Sequence, residues 1–275
     1  MSSNKHVPTP NYKFSLSPQD SLHLSVSATL AVESMEKVPL EDIQRDQLFQ
    51  SLFYIDLASP PLTNLSAYYY LLADEEQEKC RRFMQAAHQQ RFAWGRIALR
   101  KILGLATQKS PESLVFAKGE YRKPFLNDKD LERTVHFSLS YSGSSIVLVF
   151  DTQPIGVDIE GIKTHFDVSN MQEAVCAEEE IAYLEGLSEE ERKKAFFTLW
   201  TRKEALLKWS GKGIGMHLSQ CSLLEGERSI AAEIIGASST GQVAVASYDY
   251  AKNHEMISLA QSSASSSKIP TEIVL

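Results

Sequence analysis

Cysteine is scarce: Cys80, Cys176 and Cys221 are the only three in 275 residues. They show no C-x-x-C spacing and no neighbouring histidine cluster, so neither a disulfide framework nor a structural zinc site is expected, and the chain reads as reduced and cytoplasmic. Positive charge is short as well. Twenty-eight Lys and Arg against 35 Asp and Glu give a formal charge of -7, which excludes the dominant basic field that non-specific nucleic-acid binding needs. Long apolar runs are missing. No stretch approaches a membrane span, and the N-terminal "MSSNKHVPTPNYKFSLSPQDS" has no apolar core of a signal peptide, so neither insertion nor export is expected. The seven histidines form no H-E-x-x-H spacing. "GVDIEGIKT" places Ile162 where a phosphate-binding P-loop needs lysine, and "LSYSG" lacks the first glycine of a nucleophile elbow.

What is present divides unevenly along the chain. Residues 1–45 are rich in Ser and Pro and predict a partly ordered extension. "SLFYIDLA" predicts a buried strand, stopped by the paired prolines of "SPPLTN". From "ADEEQEKCRRF" to "RFAWGRIALRKILGLAT" the period turns helical. Lys79, Arg81, Arg82, Arg91, Arg96, Arg100 and Lys101 fall between Lys79 and Lys101 with no Asp or Glu among them, which makes this either a solvated basic face or a place for phosphate. "HFSLSYSGSSIVLVFDTQPIGVDIE" then predicts three strands separated by turns. An acidic helical region follows, then the helix of "FFTLWTRKEALLKWSGKG" with its glycine stop. "CSLLEGE", "SIAAEII", "QVAVASYDY" and "EMISLA" predict a strand meander, and "QSSASSSK" a flexible tail segment.

The chemistry gathers at two of these segments. Asp158 and Glu160 are two apart on a predicted strand, so both side chains share one face and can converge on one cation. Exposed strand-end charges are the bland alternative. In the helix, Phe196, Leu199, Trp200, Lys203, Leu206 and Leu207 follow the spacing of one buried stripe, with Glu204 at its edge. Lys203 either snorkels past Trp200 or meets an anion. Glu204 and Lys208 form either a helical salt bridge, worth about 0.2–0.5 kcal/mol, or part of a site. Three carboxylates make an oxygen-only donor set suited to magnesium. The lysines add the positive charge that a diphosphate requires around the oxygens left uncovered by a metal.

These segments resemble the signatures of the Sfp-type 4'-phosphopantetheinyl transferases. "PIGVDIE" and "FFTLWTRKEALLKWSGKGIGMHLSQCSL" stand in the family's order, preceded by "EKCRRF", "YRKPFL" and "FSLSYSG", and the likeness runs over roughly residues 50–262. The resemblance implies an α+β fold of two similar halves related by a pseudo-twofold axis, at 46–150 and 151–275, with coenzyme A and Mg2+ between them. It implies attack by a carrier-protein serine hydroxyl on the β-phosphate of coenzyme A, with release of adenosine 3',5'-bisphosphate. Acyl or peptidyl carrier proteins are the implied partners, and a monomer the implied state. By resemblance Asp158, Glu160 and Glu204 are metal ligands. Glu204 and Lys208 are catalytic, Glu204 taking the serine proton directly or through water. Lys203 and Lys208 face the diphosphate, Lys79 lies near the 3'-phosphate, Lys123 and Pro124 form the adenine-side turn, and Ser140 contacts phosphate. Arg82, Arg91 and Tyr141 complete the coenzyme-binding set. Two positions depart from the family: Tyr141 stands where S-H-S is common, and Arg122 where G-K-P is. Two other readings share these residues: another magnesium-dependent phosphoryl-transfer enzyme, such as a nuclease, or a carrier-binding module that has lost catalysis.

Overall fold

The computed structural model describes residues 29–31, 49, 52–58, 65–128, 134–211, 219, 221–224, 230–231, 242–250 and 254–262. The expected N-terminal extension, the "SPPLTN" stop and the tail beyond Ser262 lie outside the described residues, apart from one short strand in the extension. The architecture is mixed: two four-stranded sheets, a small hairpin and six α-helices among the described residues.

The strands are β1 (Thr29–Ala31), β2 (Leu52–Asp56), β3 (Phe116–Lys118), β4 (Pro124–Leu126), β5 (His136–Ser142), β6 (Ser145–Asp151), β7 (Ile155–Gly161), β8 (Ile230–Ala231), β9 (Gln242–Tyr250) and β10 (Glu255–Ser262). The helices are α1 (Leu65–Tyr68), α2 (Asp74–Arg81), α3 (Ala86–Thr107), α4 (Gln172–Val175), α5 (Glu178–Glu185) and α6 (Glu189–Ser210). The first sheet has the order β1-β2-β6-β5, the second β7-β10-β9-β8, and β3 pairs with β4 alone. The three strands expected from "HFSLSYSGSSIVLVFDTQPIGVDIE" are β5, β6 and β7. "CSLLEGE" departs from expectation: Cys221–Leu224 form no strand. Their backbone groups are taken by side chains instead of a ladder, with Arg202 donating to Leu223 O and Leu224 O and the Leu223 N–H donating to Glu180.

Each sheet carries one 22-residue helix. Trp94, Ile97, Ala98, Ile102 and Leu103 of α3 join Phe53, Ile55, Phe137, Ile146 and Leu148 in one apolar cluster. Phe196, Leu199, Ala205, Leu206 and Trp209 of α6 join Val243, Val245 and Ala260 in another. The start of α6 is a capping box, in which the Ser188 N–H donates to Glu191 and three acids occupy the first turn. Its end is Gly211, in the left-handed region at φ 72°.

Two close approaches position the site. At Gly156 a β-carbon would lie 2.0 Å from Ala205 O and 2.4 Å from Trp209 N, so α6 crosses β7 backbone to backbone. The other is a seam between β5 and β7, which are the facing edges of the two sheets. Ser138, Ser140 and Ser142 alternate along β5 and all turn to β7. Ser138 Oγ accepts the Val157 N–H at 3.0 Å and Ser142 Oγ accepts the Gly161 N–H at 2.9 Å. Edge N–H groups that would otherwise be unpaired are thus satisfied by side chains.

Gly156→Ala should therefore destabilise the protein by the upper end of about 1–3 kcal/mol, because neither backbone can yield cheaply. Gly161→Ala, whose β-carbon would meet nothing closer than Ser142 Oγ at 3.8 Å, should stay within about 0.5 kcal/mol of wild type. Urea unfolding midpoints of the two variants check the contrast.

Candidate active site

Between the β5 edge, the β3–β4 turn and the last turns of α6 lies a cavity of about 360 Å3. Five cations line it, Lys79, Arg96, Arg122, Lys123 and Lys208, against one carboxylate, Glu204. Phe92, Phe137, Leu139 and Leu207 supply apolar wall, with Pro124 and Tyr141 beside them. In a chain of formal charge -7, this is a local reversal of sign suited to a polyanion with an apolar or aromatic part.

The carboxylates sit at the α6 end. Period-two geometry puts Asp158 and Glu160 on one face of β7, and the crossing at Gly156 brings α6 over them. Lys208 Nζ donates to Asp158 Oδ1 at 2.6 Å and to Ser140 Oγ at 2.7 Å, while Ser140 Oγ donates to Asp158 Oδ1 at 2.7 Å. Asp158 is buried, and its Oδ2 has no hydrogen-bond partner. Glu160 accepts from Ser142 Oγ at 3.2 Å. Burial and then the Asp158 charge hold the carboxyls of both Glu160 and Glu204 above the ordinary range. The helical Glu204–Lys208 bridge does not form, because Lys208 reaches Asp158 instead.

This donor set suits a hard divalent cation in chemistry: all oxygen, with the Asp158 charge felt by both Glu160 and Glu204, and one buried oxygen without a partner. Among the described residues no three His, Cys, Asp or Glu side chains stand close enough to form a ready-made metal cage. Here the Lys208 ammonium provides the counter-charge at Asp158.

Lys203 goes elsewhere. It does not line the cavity; its side chain is 1% exposed and pairs at 2.6 Å with Glu180 of α5, which is 0% exposed. Nζ also donates to Cys221 O at 2.7 Å. The expectation that Lys203 faces the same cleft as Lys208 is therefore corrected: position 203 points down the buried stripe, and the anion it meets is Glu180. Glu180 also accepts the Ala177 and Leu223 N–H groups at 2.7 Å each. Three segments, α5 with its N-cap, α6 and residues 221–224, are tied at one carboxylate. Nearby Cys176 has its thiol pushed up to about 11 by burial and then by Glu180.

The basic run of α2 and α3 is sorted in the same way. Arg96 and Arg100 both bind Glu76, Arg100 at 2.8 Å and only 2% exposed. Arg82 is exposed and pairs with Glu78 one turn earlier, outside the cavity lining. Arg91 donates to Gly143 O at 2.7 Å and lies 5.9 Å from the centre of the Tyr141 ring. Lys79 lies over Phe92 at 4.8 Å, and burial, then Arg96 and Lys118, lower its pKa. Tyr141 lines the cavity with its hydroxyl buried and without a hydrogen-bond partner, against Gly95, where a β-carbon would come within 2.5 Å of the oxygen. Burial pushes its pKa far up, so it is neutral throughout the physiological range.

Lys123 bridges the sheets. Its ammonium donates to Ile155 O of β7 at 3.1 Å and to Lys208 O of α6. Burial, then Lys208, bring its pKa down to about 8. Sequence reasoning missed Arg96 as a cavity residue, since nothing local marks which arginine of the run turns inward. It also missed Ser138 and Ser142, although their alternation with Ser140 was a visible signal.

A family model described as the 4'-phosphopantetheinyl transferase superfamily matches residues 154–254, and one described as 4'-phosphopantetheinyl transferase, N-terminal, matches residues 59–153. The 4'-phosphopantetheinyl transferase Sfp of Bacillus subtilis (strain 168) is 31% identical over 152 residues, covering 55% of this chain and 66% of Sfp. The transferase ffp of Bacillus subtilis is 32% identical over 150 residues, covering 54% and 64%. HetI of Nostoc sp. (strain PCC 7120) is 31% identical over 181 residues, covering 66% and 75%. The chain thus spans just under two thirds of the length of Sfp and ffp and three quarters of HetI.

Removing one partner of the buried pair, as in Lys203→Met, should cost about 3–5 kcal/mol. The double variant Lys203→Met/Glu180→Gln removes the uncompensated buried charge but keeps an acceptor for only one of the Ala177 and Leu223 N–H groups, so it should recover part of that loss in urea unfolding. Lys123 supplies a pH test. Its folded pKa lies below the ordinary value of 10.5, so between pH 8 and 10.5 the unfolded chain holds a proton that the folded chain does not. Stability relative to Lys123→Met should rise with pH across that window and be flat below it, as read from paired denaturation curves.

Proposed function

The chain belongs to the 4'-phosphopantetheinyl transferase superfamily, and on that premise we propose that it transfers the phosphopantetheine of coenzyme A to a serine hydroxyl of an apo acyl or peptidyl carrier protein. The observation that carries this reading is the cavity itself: five cations and apolar walls adjoining a carboxylate group, in an otherwise acidic chain. Coenzyme A offers phosphates for the cations and an adenine for the walls.

In this reading the halves are 46–150 and 151–275, meeting between Asp151 and Ile155. A pseudo-twofold relation between them is supported by the matching pattern of one 22-residue helix on one four-stranded sheet. One chain supplies both walls of the cleft, which fits a monomer. Free Cys80, Cys176 and Cys221 fit a reducing, cytoplasmic setting, and among the described residues no helix is long and apolar enough to cross a membrane.

Asp158, Glu160 and Glu204 would hold Mg2+, which when bound supplies charge neutralisation for the diphosphate oxygens. Glu204 lines the cavity, which puts its carboxylate where it takes the proton of the attacking serine, directly or through a water. The oxygen then attacks the β-phosphate, and the bond to the leaving adenosine 3',5'-bisphosphate breaks. Lys208, held by Asp158 and Ser140 at the cavity wall, balances the charge that gathers on the phosphates. Asp158 and Ser140 act behind it as positioning groups, fixing the ammonium before substrate arrives. Apolar walls keep bulk water from competing with the serine.

Incubation with Mg2+, coenzyme A and a set of apo carrier proteins, followed by mass spectrometry, should show serine-linked phosphopantetheine. Coenzyme A binding with no transfer to any carrier would favour the carrier-binding module, and neither binding nor transfer would reject the reading. Asp158→Ala and Glu204→Ala should each lose at least about a hundredfold in kcat, the scale of a lost acid–base or charge-stabilising group. Lys203→Met should lose activity only as far as it loses folded protein.

A further inference from the structure

The turn between β3 and β4 places two cations in succession, Arg122 and Lys123, and treats them oppositely. Lys123 is drawn into the seam by two carbonyls of the second sheet and its helix, which leaves its ammonium little capacity for a ligand. Arg122 stays exposed and lines the cavity. Among the described residues its guanidinium makes no ion pair, unlike Arg96 and Arg100, which are held by Glu76.

Arg122 also carries a conformational penalty. Its φ is 64°, in the left-handed region where a side chain is disfavoured and glycine is not. The turn is closed by the Arg122 N–H on Gly119 O and the Gly119 N–H on Lys123 O, both 2.9 Å. A glycine at position 122 would make this turn without strain. Non-glycine residues held in this region cluster where the side chain does work on a ligand.

Resting on the proposed function above, we propose that Arg122 is a ligand-binding residue of this chain, its guanidinium clamping a phosphate of coenzyme A at the cavity rim. A planar guanidinium with unengaged N–H groups matches phosphate bidentately, which an ammonium cannot do. Lys79, another cation of the same cavity and free of any ion pair among the described residues, adds charge there. The group bound is either the diphosphate or the ribose 3'-phosphate, and the two are separable by experiment.

Calorimetry of coenzyme A and of 3'-dephospho-coenzyme A on wild type, Arg122→Gly and Arg122→Asn tests this, with thermal unfolding of each protein without ligand. Both replacements tolerate the backbone conformation, so Tm should hold or rise while Kd for coenzyme A rises about tenfold or more, the loss expected for a charge-assisted hydrogen-bonding group. If the penalty disappears with the dephospho compound, the 3'-phosphate is the group bound. If it persists, the diphosphate is. Equal Kd for wild type and both variants, with wild type binding normally, overturns the Arg122 inference alone. Failure of wild type to bind coenzyme A overturns the functional reading together with it.

Discussion

The backbone contact between β7 and α6 at Gly156 is the constraint from which the polar geometry follows. With the helix crossing at that distance, position 204 reaches the cavity and position 208 stands over Asp158, while position 203 is driven down towards α5. A wider helix–strand spacing, the usual result when side chains intervene, would carry the Lys208 ammonium out of hydrogen-bond range of Asp158 and Ser140. One residue without a side chain thus sets the relation between two carboxylates on a strand and a third on a helix.

The second organising effect is competition among carboxylates for cations. Glu76 takes Arg96 and Arg100, Glu180 takes Lys203, and Asp158 takes Lys208. These pairs differ in purpose. The Glu180 pair is sealed from water and joins α5, α6 and the 221–224 segment, a clasp whose worth lies in fixing one arrangement rather than in net attraction. The Asp158 pair is partly open to the cavity and presents its ammonium there. Lys208 is also where two structural roles meet, since its carbonyl accepts from Lys123 while its side chain faces the site.

Much of this was legible in the sequence. Alternation placed Asp158 and Glu160 on one face, the glycine stop at Gly211 marked the end of α6, and the signature segments carried the family resemblance; that the acidic region before Phe196 runs into the same helix from Glu189 was not read. Lys203 shows where reading along the chain stops. Its position on the apolar stripe left snorkelling or an anionic partner open, but helical spacing cannot say which carboxylate arrives, and Glu180 lies on another helix 23 positions earlier. Glu76 is missed for the same reason: the basic run it partly neutralises begins just after it, and the pairing depends on how α2 folds back on α3. Lys123 was legible as a cation near the site, but not as a bridge, because the carbonyls it binds come from the other sheet.

The serine seam has a further consequence for the chain's behaviour in a crowded solution. A sheet edge offers its unpaired N–H and C=O groups to any extended strand, and two edges in one molecule double the hazard of edge-to-edge aggregation. By turning β5 and β7 towards each other, and filling the gap between them with hydroxyls rather than with a continuous ladder, the fold withdraws both edges from strangers. The cleft can then border this line without becoming a place for foreign strands to add.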